Sequence, residues 1–215
     1  MSIKKYTLLF SMLTLSALSI VNAQSKSEVF KKEEPVTWLG LDFSHNKFIG
    51  DREKFGSESD VRKLMEAWND LIIKEADKYN IAKAIDRSKV EYAVEVTNEH
   101  NAEQDVMSMF SDSEKDYLHL KVADVEQLIS GYDFKGKTGI GLMFVVESFN
   151  KTNVEGSVFV TFINMGTREV LFTERVTAEP GGFGMRNYWA GSIREVIEKI
   201  RKKDFSNWRK KYFRP

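Results

Sequence analysis

Gly139-Ile-Gly-Leu-Met-Phe-Val-Val-Glu-Ser-Phe149, written GIGLMFVVESF, is apolar on both alternations at its centre. A strand with one wet face carries apolar residues at every second position, so a run without that period reads as a central strand covered on both sides. Two more strand-like runs follow, VEGSVFVTFIN (Val154 to Asn164) and EVLFTERV (Glu169 to Val176). Asn164-Met-Gly-Thr167 between them is a hairpin turn signal. The C-terminal half is therefore expected to hold an antiparallel meander whose first strand is the deepest.

Upstream, VTWLGLDFS (Val36 to Ser44) is rich in β-branched and aromatic residues and reads as the first strand. Ser57 to Tyr79 places Val61, Leu64, Met65, Trp68, Leu71, Ile72, Ala76 and Tyr79 at helical spacing, with Ser57 or Ser59 as N-cap. Val90, Tyr92, Val94 and Val96 alternate with Glu91, Ala93, Glu95 and Thr97, the pattern of a half-buried strand. Asn98 to Asp116 is polar with one apolar island and reads as a mobile connection with one short helix at most. A second helix is expected through Val122, Val125, Leu128 and Ile129, closed by Gly131 at positive φ, and a last one from Asn187 to Lys203. The order β-α-β-α-β-β-β-α predicts one α/β (α+β) domain over 36–203, helices packed on a mixed sheet.

The first residues, MSIKKYTLLFSMLTLSALSIVNAQ, combine Lys4-Lys5, an apolar run and the small pair Val21 and Ala23, the pattern of a secretory signal peptide over 1–23. The stretch 24–35 reads as a flexible leader and 204–215 as a basic aromatic tail. With no cysteine in 215 residues, neither a lipid anchor nor a disulfide is expected, and the core must stand alone. Removing the two lysines of the first 23 residues leaves 30 basic residues against 32 acidic ones, a balance that argues against general nucleic-acid binding. A periplasmic or secreted protein is the expectation, with no transmembrane segment after cleavage.

The opening strand VTWLGLDFS followed by a long helix, and the hairpin FVTFINMGTREVLFTERV before a closing helix, resemble the exported α/β domains of the TolB N-terminal, penicillin-binding-protein activator and curli-transport lipoprotein group. The resemblance lies in the order of elements over most of the chain and implies a protein that docks other envelope proteins. It brings no catalytic residues to carry over.

Chemistry-bearing groups are few. His45 follows Asp42 and Ser44 at the end of the first strand, and a hydrolase would need these joined by a group from the 98–119 connection. His100 and Glu103 would share a helix face and are the candidate metal ligands, with Glu99 or Asp105 to complete a set; Asp116 and His119 raise the same question. In EPGGFGMRNYWAG (Glu179 to Gly191), Gly181, Gly182 and Gly184 precede a helix, and Arg186 could join them in an anion cradle. The Walker and dinucleotide spacings are absent. The packing alternative has Phe183 and Met185 pin the turn to the core while Gly191 admits the helix close to the sheet. Trp208, Arg209, Lys210, Lys211 and Tyr212 mix cations with aromatics, which suits an anionic surface or an acidic envelope partner, or else a helix end folded back on the core. No motif implies a cofactor. The function expected is an exported, non-catalytic binding or assembly protein, with an envelope hydrolase built on Asp42 and His45 as the alternative.

Cleavage after Ala23 makes the exported product begin at Gln24. N-terminal mass spectrometry of the secreted chain checks this, and recovery of the chain with residues 1–23 attached counts against it.

Overall fold

The computed structural model describes residues 25–213, so the signal-like stretch, the Gln24 terminus and the last two residues of the tail lie outside the described residues. Strand β5 (Ile140–Asn150) is the axis of the sheet and is buried along its whole length. On one side it pairs in parallel with two short strands laid end to end, β1 (Val36–Asp42) and β2 (Lys47–Ile49). On the other, β6 (Glu155–Asn164) and β7 (Glu169–Ala178) continue antiparallel, the expected meander. Two-residue strands β3 (Glu91–Tyr92) and β4 (Phe110–Ser111) lie parallel to β1 and β2 on their outer side. In the β6–β7 turn, Asn164 Oδ1 accepts from the amides of Gly166 and Thr167, so the asparagine builds the turn.

Helices cover both faces, and the alternation along β5 assigns its side chains to one or the other. Leu142, Phe144 and Val146 join Met65 and Trp68 of helix α1 (Glu58–Lys74) and Trp189 and Ile193 of helix α5 (Met185–Lys199). Met143 and Val145 face the opposite way, toward Val96 of α3 (Glu95–Ala102) and Val125 and Ile129 of α4 (Val122–Ser130). A short α2 (Ile81–Ala84) joins the first core. The fold is a mixed α/β sandwich on a partly parallel sheet. Helix α1 starts where a capping box forms, Ser57 Oγ accepting from the Asp60 amide while the Asp60 carboxylate accepts from the Ser57 amide.

Several expectations need correction. The alternating run Val90 to Thr97 is a strand for two residues only and then turns into α3. Its period-two pattern misleads because Tyr92 points to solvent, while Thr97 and Asn101, one helical turn apart, aim at β1. Gly131 ends α4 at φ −86, an ordinary right-handed value, so the cap does not use its freedom. The connection after residue 98 is built from the end of α3, two 3-10 turns and β4, with Val106 and Met109 buried. In the stretch read as a flexible leader, Val29 and Phe30 are buried, and Arg87 holds it by donating to the carbonyls of Val29 and Glu34. In the stretch read as a tail, α5 passes through a π turn (Ile200–Asp204) into helix α6 (Phe205–Tyr212), whose Phe205 and Trp208 enter the core.

Beyond Trp38 the outer edge of β1 has no strand beside it, and side chains take its place. Thr97 Oγ1 donates to the Leu39 carbonyl at 2.6 Å. Asn69 accepts from the Leu41 amide at 2.6 Å and donates to its carbonyl at 3.1 Å. Asn101 donates to the same carbonyl at 2.9 Å and accepts from the Phe43 amide at 2.7 Å, as a peptide unit of a parallel neighbour would. Gly40 makes room for this: at φ +104, a Cβ there would meet Thr97 Oγ1 at 2.6 Å and Asn69 Oδ1 at 2.7 Å.

Gly40→Ala is expected to lower the unfolding free energy by about 2–4 kcal/mol, about 1–2 from left-handed backbone and about 1–2 from displacing buried hydrogen bonds. Gly136→Ala, at φ +72 with nothing within 4 Å of its Cβ, isolates the backbone part at about 1 kcal/mol. Urea denaturation of the two variants gives the difference.

Candidate functional site

The edge closure ends at Asp42, the last residue of β1, which is fully buried. Its Oδ2 accepts from His100 Nδ1 at 2.8 Å and from the Tyr132 hydroxyl at 2.8 Å. Its Oδ1 accepts from the Ser44 amide at 3.0 Å and from Ser44 Oγ at 2.6 Å. Four donors thus converge from the turn after β1, α3 and the segment after α4. The chain then turns tightly, Asn46 N donating to the Phe43 carbonyl, before β2 resumes the lane. This turn carries His45 outward, its Nδ1 3.0 Å from Ser44 Oγ. His119 meets it from the other side, Nε2 lying 3.1 Å from the His45 carbonyl and Nδ1 2.7 Å from that of Asp116.

All three histidines therefore gather around one strand end, drawn from residues far apart in the chain. Two shallow cavities adjoin His45 and His119. One of about 500 Å³ is lined by His45, His119, Asp124 and Gln127, and one of about 270 Å³ by Ser44, Asn46, Lys47 and Ser108.

The electrostatics follow from burial and pairing. For Asp42, burial pushes the carboxyl up, but the hydrogen bond and charge of His100, with the bonds from Ser44 and Tyr132, outweigh it and hold it below the usual range. For His100, the bond to Asp42 raises the imidazole above its ordinary value against the opposing effect of burial. Burial and the facing carboxylate push the Tyr132 hydroxyl far up, so it serves as a fixed donor.

The connectivity limits the chemistry. A serine nucleophile needs its hydroxyl on an imidazole whose far nitrogen is held by a carboxylate. Here the hydroxyl is the middle member: the Ser44 proton goes to Asp42, and the His45 ring hydrogen-bonds to Ser44 and to no carboxylate among the described residues. His100 sits on Asp42 through one nitrogen, and Ser44 is not among its partners. As to metal ligation, Glu103 is exposed and does not join His100, and no group of three or more His, Asp or Glu among the described residues is placed to hold an ion.

The glycine run takes neither form expected of it in full. Phe183 is exposed and pins nothing, whereas Met185 is half-buried. Gly191 admits the loop backbone rather than the sheet, since a Cβ there would lie 2.0 Å from the Gly181 carbonyl oxygen. The Arg186 side chain lies at the surface, 3.3 Å from Asn187 Oδ1, and its carbonyl accepts from Trp68 Nε1. In α6, Trp208 and Tyr212 pack on Phe172, and Tyr212 also donates to Glu174. Arg209 pairs with Asp86 at 2.7 Å and Lys211 with Glu174 at 3.8 Å, leaving Lys210 exposed without an ion pair among the described residues.

Sequence reasoning missed a second polar centre. Glu147, buried in β5, receives two bonds from Arg175 of β7, one from Ser157 Oγ and one from the Leu120 amide. The signal was a single acid inside an otherwise apolar strand. This centre ties the loop before α4 to the sheet.

No protein-family profile matches the chain, and no curated protein matches it. Among solved structures, the crystal structure of lipoprotein GNA1162 from Neisseria meningitidis is similar over 79% of this chain and 98% of that one, at 11% identity and a TM-score of 0.31. A likeness of that degree transfers neither activity nor partner. No helix among the described residues is long and apolar enough to cross a membrane.

The Asp42–His100 pair makes stability depend on pH at both ends. The lowered Asp42 contributes stability that is present above the ordinary carboxylate pKa of 3.8 and lost as pH falls through its folded value. The raised His100 contributes stability that is full below about 6.5 and lost as pH rises through its folded value. His100→Gln keeps a donor but does not titrate, so it is expected to remove the decline between about pH 6 and 9. Melting temperatures across that range, wild type against variant, check this; equal slopes contradict it.

Proposed function

We propose that this chain is an exported, non-catalytic binding or assembly protein of the cell envelope. The observation that carries the reading is the closure of the Asp42 centre on itself. Its carboxylate is saturated by four donors and its serine proton is committed to a carboxylate rather than to an imidazole. Such a centre positions backbone and organises a strand end. The signal-like first 23 residues support export to the periplasm or the medium.

On this reading the working surfaces are exposed ones. Arg186, Lys210 and the outward faces of Arg209 and Lys211 would meet an acidic protein partner or an anionic surface, while Trp208 and Tyr212 hold the helix that presents those cations. Neither a cofactor nor general nucleic-acid binding enters the proposal.

The gathering of Asp42, Ser44, His45 and His119 at one strand end is the specific observation in favour of the hydrolase alternative. A fluorophosphonate probe, which labels activated serines, separates the two. The exported protein is expected to remain unlabelled between pH 6 and 9. Labelling of Ser44 that His45→Ala abolishes would establish the hydrolase instead.

A further inference from the structure

Phe183 is 96% exposed, while the other large apolar side chains at the described surface lie between 36% and 46%. The backbone that presents it is tightly held. Gly181 N donates to the Tyr188 carbonyl at 3.1 Å, the loop lies against Gly191, and Gly182 and Gly184 take φ values of +129 and +78 on either side of the ring. Folding gains nothing from an apolar ring left in water, and a ring held out on an ordered loop is available to be buried by a partner.

A hollow lies on the other flank of α1. Between α1 and α3 runs a groove of about 360 Å³ lined by Arg62, Met65, Glu66, Glu99 and Ala102, and its accessible wall is mainly apolar. Arg62 braces it by donating to the carbonyls of Ala102 and Gln104. Trp68, one turn along α1 from Met65, donates to the Arg186 carbonyl at 2.8 Å, so knob and groove adjoin the same helix. The charges match as well. Arg186 beside the knob and Glu66 beside the groove are exposed, and neither forms an ion pair among the described residues.

From this juxtaposition we infer that two copies of the chain associate about a twofold axis, each Phe183 entering the α1–α3 groove of the other and each Arg186 facing the other's Glu66. A knob and a hollow on one face satisfy each other reciprocally and close the assembly at two, whereas a knob and a hollow on opposite faces would build a filament. The inference goes beyond the proposed function and does not depend on it, because a hydrolase could form the same dimer.

Sedimentation equilibrium of the exported protein tests it. A concentration-dependent dimer is expected, with Phe183→Ala weakening the dissociation constant at least about tenfold while far-ultraviolet circular dichroism, and the melting temperature at dilutions where both proteins are monomeric, stay unchanged. Ala102→Trp, which fills the groove from the other side, is expected to weaken it similarly. Arg186→Glu should also weaken the dimer, and adding Glu66→Arg should restore it. A monomer at every concentration up to about 1 mM, where association would contribute only about 4 kcal/mol, overturns the inference. So does a dimer indifferent to Phe183→Ala, or a double charge reversal that restores nothing.

Discussion

Asn69, Thr97 and Asn101 stand where a strand should be, and much of the fold depends on that substitution. A buried strand edge with unpaired amides and carbonyls costs about 1–3 kcal/mol for each group left unsatisfied. Covering β1 by continuing β3 would satisfy them, but β3 stops after two residues. Two asparagines and one threonine instead supply the hydrogen bonds from helices, Asn101 bridging Leu41 and Phe43 as a backbone unit would. This fixes α1 and α3 against β1 to within hydrogen-bond tolerance, more tightly than apolar packing alone specifies. It also places His100, the residue before Asn101, on the Asp42 carboxylate.

The two buried carboxylates do related work in different ways. Glu147 is met by a guanidinium through two bonds, and its partner Arg175 also stacks over Phe159, so charge and packing are joined in one strut between β5 and β7. Asp42 is met by a titratable imidazole, a phenol and a serine, groups whose donors depend on local order. The Glu147 strut therefore joins two strands through charge and packing at once, and the Asp42 centre is the one that includes a titratable imidazole with a raised pKa.

How much of this was legible in the sequence depends on the range of the forces involved. The meander, the buried axis at GIGLMFVVESF, the Ser57 cap and the long α1 follow from periodicity and turn chemistry, which act over a few residues. The stretch after Val90 did not follow, because its pattern fits a strand locally and its true state is decided by Thr97 and Asn101 reaching β1 across the fold. Asp42 and His45 could be named as a strand-end pair. The 98–119 connection could be named as the source of a further group, and His100 reaches Asp42 from it, but that exact pairing and the one with Tyr132 span 58 and 90 positions and leave no local period. The same limit applied to the cationic C-terminus, where composition allowed either an exposed tail or a packed helix, and the contacts of Phe172 with Trp208 and Tyr212 decided for packing.

Sheet edges are a usual route by which a β-containing protein recruits a neighbour, and side chains occupy part of the backbone on both sides here. On the outer side, amide side chains occupy the hydrogen-bonding positions of β1. On the other side, Lys199 reaches the C-terminal end of β7, its ammonium donating to the Thr177 carbonyl at 2.6 Å. An incoming strand would have to displace these groups before forming its own bonds. At those positions backbone pairing with a neighbour is opposed. The glycines of EPGGFGMRNYWAG flatten a loop onto α5 and leave one aromatic ring facing outward, the single place where the described surface departs sharply from ordinary exposure.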